Sequence, residues 1–151
     1  MVGAALADGA CAFCAILAGR LPASVVHEDD QVVAFMDLRQ AVPGHVLVIP
    51  RRHVETLFEL DEDTAARLMR VAVRIARAAD RALAPDGLNL WQSNRDAGGQ
   101  EVPHVHLHVQ PRRVDDGLLR IYRQGVPAPA DRAMLDALAA RLRAALAAPG
   151  L

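Results

Sequence analysis

Residues 104–109 read HVHLHV, so His104, His106 and His108 alternate with Val105, Leu107 and Val109. A period of two is the side-chain period of a β-strand, which puts the imidazoles on one face and the aliphatic side chains on the other. With a rise of about 3.3 Å per residue, neighbouring rings on that face stand about 6.6 Å apart. The alternation constrains the chain twice: it requires a strand whose apolar face meets a core, and it gathers three titratable rings around one small space. A single strand histidine is ordinarily a hydrogen-bonded structural residue. Three in register, opposite an apolar set, point instead to chemistry, either a metal site built from imidazoles or phosphate transfer with imidazole as nucleophile and proton donor.

At 151 residues the chain is long enough for one domain with a packed core and short for two. Its hydrophobic fraction of 52% is rich in alanine and only 3% of residues are aromatic, which predicts a helix-rich core of small side chains. A formal net charge of −1 argues against a general nucleic-acid binder, which needs a basic excess to displace counterions. The apolar stretch from Ala10 to Gly19 has no basic region before it, contains both cysteines and is too short for a bilayer, so it reads as a buried N-terminal helix. The default expectation is a soluble cytoplasmic protein without a membrane segment.

The order of elements follows from punctuation and period. Pro22 ends the first segment, and Val25–Glu28 and Val32–Asp37 flank Asp29-Asp30 as a hairpin. After the turn Val42-Pro43-Gly44, the run His45–Ile49 closed by Pro50 predicts a third strand, with Arg51, Arg52 and His53 at its end. Ala65, Leu68, Ala72, Ile75, Ala76, Ala79 and Leu83 then recur at helical spacing, with Asp61 or Asp63 as N-cap and Pro85 beyond the end. Arg67, Arg70, Arg74, Arg77 and Arg81 form a stripe read as a solvated helix face. Leu88–Gln92 and Val105–Val109 predict two more strands, joined by the polar loop Asn94-Arg95-Asp96-Ala97-Gly98-Gly99-Gln100, where a ligand can approach backbone N–H groups. Beyond Asp131, Leu135, Leu138, Leu142 and Leu146 predict a C-terminal helix.

Cys11-Ala12-Phe13-Cys14 is a C-x-x-C pair that fits a redox couple, half of a zinc site or two buried thiols. Zinc would need two further ligands, for which the chain offers His45, His53 and the three strand histidines. For phosphate chemistry, neutral imidazole is a nucleophile when one nitrogen points outward and the other N–H is fixed by an acceptor such as a backbone carbonyl. His106, the middle residue, is best placed for attack, with His108 and Gly98-Gly99-Gln100 available to hold the phosphate oxygens and the leaving group.

The segment GQEVPHVHLHVQPR, Gly99 to Arg112, resembles the histidine triad (HIT) signature, and CAFCAILAGRLPASVVHEDDQVVAFMDL and VPGHVLVIPRRH look like the same family in the same order. The resemblance implies an α+β, HIT-like fold: a five-stranded antiparallel sheet with one short N-terminal helix, one long helix and a C-terminal helix. It implies a single HIT domain over residues 1–151, with a core over about 11–113 and a helical extension over about 129–148, pairing into a homodimer. It also implies hydrolysis or transfer of nucleoside 5′-phosphate derivatives, either dinucleoside polyphosphates or nucleoside phosphoramidates, through a covalent nucleotidyl-histidine, with a purine nucleotide as partner. A nucleotide-binding regulatory dimer without appreciable turnover is the alternative.

Carried over by position, His106 resembles the nucleophile, His108 and Gln100 the phosphate and leaving-group contacts, and His45 their supporting partner. Asp37 would hold the ribose hydroxyls, Phe13, Ile16, Leu21, Phe35 and Leu38 would line the base pocket, and Asn94 and Gly99 would lie on the phosphate side. Bacterial relatives of this type imply a structural zinc on Cys11, Cys14, His53 and His104. Gln110-Pro111-Arg112 after the triad and the continuing chain resemble the diadenosine-polyphosphate-hydrolase-like or general bacterial HIT branch, and Glu101 stands where many members carry serine or threonine.

Overall fold

The alternation at His104 becomes a hydrogen-bonded strand only from Leu107 in the computed structural model, which describes residues 11–118, 122 and 125–148. The first unit, Met1–Asp116, carries α1 (Ala12–Leu17), β1 (Val25–Glu28), β2 (Val32–Met36), β3 (Val46–Pro50), α2 (Glu62–Leu83), β4 (Gly87–Trp91) and β5 (Leu107–Arg112). The strands form one antiparallel sheet in the order β1-β2-β3-β5-β4, the α+β architecture expected from the sequence. Short 3₁₀ turns lie at Leu57–Glu59 and Asp96–Gly98.

Strand alternation divides the core between the two faces of the sheet. Val46 and Val48 of β3, with Val32, Ala34, Val105 and Val109, pack against Leu68, Val71, Ala72 and Ile75 of α2. Leu47 and Ile49, the intervening residues of β3, join Val33, Phe35 and Phe13 of α1 on the opposite face. The histidines lie on this second face, and Leu47 stands opposite His108 in the β3–β5 register. Both sides of β3 are therefore buried, and truncating a residue such as Leu68, 1% exposed, is expected to cost about 2–5 kcal/mol.

Local chemistry sets the ends of the elements. The Asp61 carboxylate caps α2 by accepting the Thr64 N–H at 2.8 Å, and Ala84, in the left-handed region at φ 43°, terminates it ahead of Pro85. Asp29 closes the β1–β2 turn by accepting the N–H groups of Gln31 and Val32 at 2.9 and 2.8 Å. Arg67 reaches Asp29 from α2, so this arginine is a structural contact, whereas Arg70, Arg74, Arg77 and Arg81 remain on the solvated face.

Several boundaries differ from the sequence reading, by one to three residues in the strands. The apolar stretch Ala10–Gly19 yields a helix of six residues, because the Cys11 sulfur accepts the Cys14 N–H as its N-cap. The third strand runs Val46–Pro50: Pro50 occupies its last position, opposite Val32. His104 and His106 precede β5, where the chain bends, so only His108 is a strand residue. The second unit, Gly117–Leu151, contains α3 (Arg132–Leu146), whose Asp131 cap accepts the Met134 N–H at 2.9 Å and whose Leu138, Leu142 and Leu146 are exposed. Among the described residues no helix is long and apolar enough to cross a membrane.

Candidate active site

The approach to β5 fixes the orientation of His106. Its Nδ1–H donates to the carbonyl oxygen of His104 at 2.7 Å, so the neutral ring presents an unprotonated Nε2. Phe13 meets the ring edge-on at a centroid distance of 5.2 Å, and the side chain is only 5% exposed. Burial lowers the pKa of His106, which keeps the imidazole in its nucleophilic neutral form.

His108 enters from β5 and stacks on Trp91 of β4 with centroids 4.2 Å apart and planes within 3°. Its Nδ1 lies 3.0 Å from Nε2 of His45, whose own Nδ1 faces the Arg39 carbonyl at 3.3 Å and Asp37 Oδ2 at 3.6 Å. A carbonyl only accepts, so His45 Nδ1 carries the proton, His45 Nε2 accepts from His108 Nδ1–H, and His108 also presents a bare Nε2. Burial first, then the neighbouring His106 and His45, push the pKa of His108 down to about 3. Gly44 makes this placement of His45 possible: its φ is +104°, and a Cβ there would stand 2.3 Å from Leu83 Cδ1 and 3.0 Å from Pro111 Cγ.

The other expected site residues are distributed unevenly. Phe13 and Phe35 are buried in edge-to-face contact at 5.5 Å beneath the histidines, and Ile16 packs against the same cluster. Leu21 is half-buried after α1, whereas Leu38 is 94% exposed and stands outside the buried cluster of Phe13 and Phe35. Asp37 Oδ1 caps its own turn through the Arg39 N–H at 2.7 Å, leaving Oδ2 toward His45. Gly99 is in the left-handed region at φ +77° and completes the loop turn before the histidines.

Gln100 and Asn94, expected on the phosphate side, hydrogen-bond within the loop and to neighbouring backbone. Gln100 accepts the Arg95 N–H at 2.8 Å and donates to the carbonyls of Glu55 and Val102 at 2.6 and 3.1 Å, so both amide protons are committed to backbone. Asn94 accepts the Leu57 N–H at 2.6 Å and pairs with Gln92, which ties the loop to the turn at Leu57–Glu59. Their sequence signal was polarity beside a glycine pair, which suits loop scaffolding as well as ligand contact. Trp91 was missed as a site residue; its signal was the register of the predicted strand, which sets it opposite His108. Arg39 and Glu101 close the surroundings as a two-point ion pair at 2.5 and 3.3 Å.

His104 turns away from this constellation. Its Nε2–H donates to the Pro50 carbonyl at 2.8 Å, leaving Nδ1 unprotonated and 3.4 and 3.7 Å from the sulfurs of Cys11 and Cys14. His53 Nδ1 lies 3.3 Å from Cys14 Sγ, and the four ligand atoms all fall within 4.8 Å of one another. A tetrahedral zinc with ordinary bond lengths separates its sulfur and nitrogen ligands by about 3.6 Å, so the donor set fits that ion in type and spacing. Three strand histidines sharing one metal is the arrangement excluded here, because His104 faces the cysteines while His106 points Nδ1 at a carbonyl.

The HIT domain family model matches residues 18–115 of the chain. The protein is 41% identical over 102 residues to Protein hit of Bacillus subtilis, covering 68% of this chain and 70% of that one. It is 34% identical over 113 residues to adenosine 5′-monophosphoramidase HNT1 of Saccharomyces cerevisiae, covering 75% and 69%, and 34% identical over 108 residues to adenylylsulfatase HINT3 of Arabidopsis thaliana, covering 72% and 55%. A solved HIT-family protein from Bacillus subtilis superposes with a TM-score of 0.84 at 33% identity, covering 91% of this chain and 98% of that one. A zinc-bound histidine triad family protein from Mycobacterium smegmatis gives 0.66 at 36% identity, covering 89% and 96%.

Proposed function

Because this chain belongs to the HIT family, we propose that it cleaves nucleoside 5′-phosphate derivatives through a covalent intermediate on His106. The observation that carries the reading is the 2.7 Å hydrogen bond from His106 Nδ1 to the His104 carbonyl, which leaves Nε2 free in a neutral, buried ring. In the first step a His106 Nε2–P bond forms while the bond from phosphorus to the leaving group breaks. The leaving group takes the bonding electrons together with a proton from His108 Nε2, which that nitrogen takes up from solvent as the anionic substrate binds. In the second step water attacks phosphorus, the P–N bond breaks with its pair returning to His106, and the water proton goes back to His108. An anionic phosphate beside His108 favours the protonated ring that the first step needs, and the Asp37 carboxylate supports it through His45.

Phe13, Ile16 and Phe35 are suited to the base side of a purine nucleotide, with Asp37 as the polar group nearest the ribose. The Cys11, Cys14, His53 and His104 set would hold a structural zinc, whose chemistry is to cross-link α1, the segment after β3 and the approach to β5. Homodimer formation is supported by the edge strand β4 and by exposed Met69, Val73 and Leu90, apolar surface that a second copy would cover. The test of the functional reading is incubation with an adenosine 5′-phosphoramidate and a diadenosine polyphosphate. Release of AMP by the wild type and its loss in His106→Ala are expected; intact substrates together with tight AMP binding would establish the regulatory alternative.

A further inference from the structure

Arg39 and Glu101 come from the two loops that flank the histidines. Arg39 lies between β2 and β3, where its carbonyl accepts the His45 Nδ1–H, and Glu101 lies directly after the loop fastened by Gln100, three residues before His104. Their side chains meet over a sequence separation of 62 residues and are 76% and 66% exposed, so the pair bridges the two loops on their solvent side. The Arg39 charge bears on His108, and the Glu101 charge bears on His106. The two loops are also held by Gln40 and Gln100 through hydrogen bonds to backbone carbonyls.

We propose that the Arg39–Glu101 pair selects the leaving group and favours one that carries positive charge. The inference rests on the proposed phosphate chemistry at His106. Every substrate of that chemistry brings a negative phosphate to His106 and His108, and the leaving group departs toward solvent past the pair. A cationic leaving group engages Glu101 and frees Arg39 to face the phosphate, so both charges remain matched. An anionic leaving group instead takes Arg39 and leaves Glu101 unpaired beside negative phosphate, which is the mismatched arrangement. For a phosphoramidate of a diamine, the His106 Nε2–P bond forms, the P–N bond breaks with its electrons and a His108 proton on the amine, and the remote ammonium stays on Glu101 throughout.

The experiment compares kcat/KM for two adenosine 5′-phosphoramidates of equal chain length, one ending in an ammonium group and one in a hydroxyl, alongside a diadenosine polyphosphate. Wild type is expected to prefer the ammonium substrate, and Glu101→Gln to reduce that preference about fivefold, the scale of an exposed ion pair. The preference is also expected to shrink between low and high salt, and to reverse toward the polyphosphate in Glu101→Arg, which leaves two positive charges and no carboxylate at the pair. Non-hydrolysable analogues with the same two tails read the ratio as binding affinities, which keeps the selector testable when nothing is turned over. Turnover with a ratio that Glu101→Gln and salt leave unchanged overturns the selector alone. Absence of turnover with a charge-dependent binding ratio overturns the hydrolase reading and retains the selector; a charge-independent binding ratio overturns it.

Discussion

The carbonyl oxygen of His104 accepts the Nδ1 proton of His106 at 2.7 Å, while the His104 ring itself turns to the sulfurs of Cys11 and Cys14. One residue thus closes the Cys–His cluster with its side chain and fixes the tautomer of its neighbour with its backbone. The zinc expected in that cluster would be connected to the reacting nitrogen through a single residue, which gives a structural metal a measurable effect on chemistry.

Purified protein is accordingly expected to contain about one zinc per chain by elemental analysis. Cys11→Ser should lose the metal, lower the melting temperature and reduce AMP release by roughly 10–100-fold, the range seen when support around a metal site is removed. Full metal occupancy in Cys11→Ser would assign the ion to another site.

His108 is held neutral by burial, with its pKa pushed down to about 3, against about 6.5 in the unfolded chain. Its contribution to stability is fully present above pH 6.5 and is lost as pH falls from there toward 3, because the unfolded chain takes up a proton that the native ring refuses. Nuclear magnetic resonance of the labelled imidazole should show His108 neutral at pH 5 in the folded protein. Titration near 6.5 would contradict this placement.

Gly44→Ala should both destabilise the protein and slow it. The added Cβ meets Leu83 Cδ1 at 2.3 Å from a backbone at φ +104°, so a cost of about 1–3 kcal/mol is expected. The displacement passes to His45 and so to His108, which predicts a fall in kcat at temperatures where the variant remains folded. Thermal melts and steady-state kinetics on the same preparation check both parts; unchanged kcat would separate Gly44 from the site.

Trp91→Leu should keep the fold and weaken the site. It removes the ring stacked on His108 at 4.2 Å, and the loss of such an aromatic pair is expected to cost about 0.5–1.5 kcal/mol. A broadened pH profile for kcat with a melting temperature lowered by only a few degrees is the expected signature.

The long helix was readable because its apolar residues, Leu68, Ala72, Ile75 and Ala79, repeat at 3.6 and Asp61 caps it. The five strands were readable from β-branched runs such as Val46–Ile49, with their ends displaced by up to three residues. The division of labour among the histidines was less accessible. Strict alternation suggests three equivalent rings, but the bend before Leu107 lets His104 rotate to the cysteines. The loop partners of Gln100 and Asn94 were also not legible, because an amide beside paired glycines suits a phosphate or a backbone carbonyl equally well, and the contacts to Glu55, Val102 and Leu57 depend on the fold. Leu38 shows the limit for apolar residues, since hydrophobicity alone does not reveal that it stands exposed while Phe13 and Phe35 are buried.

The central claim concerns one nitrogen. Protein quenched in acid-free denaturant during turnover of an adenosine phosphoramidate, digested and sequenced by mass spectrometry, should carry an adenylyl group on His106. The adduct should disappear in His106→Ala and decay on further incubation with water. Steady release of AMP with no adduct, or an adduct on His108 or another residue, would contradict the account.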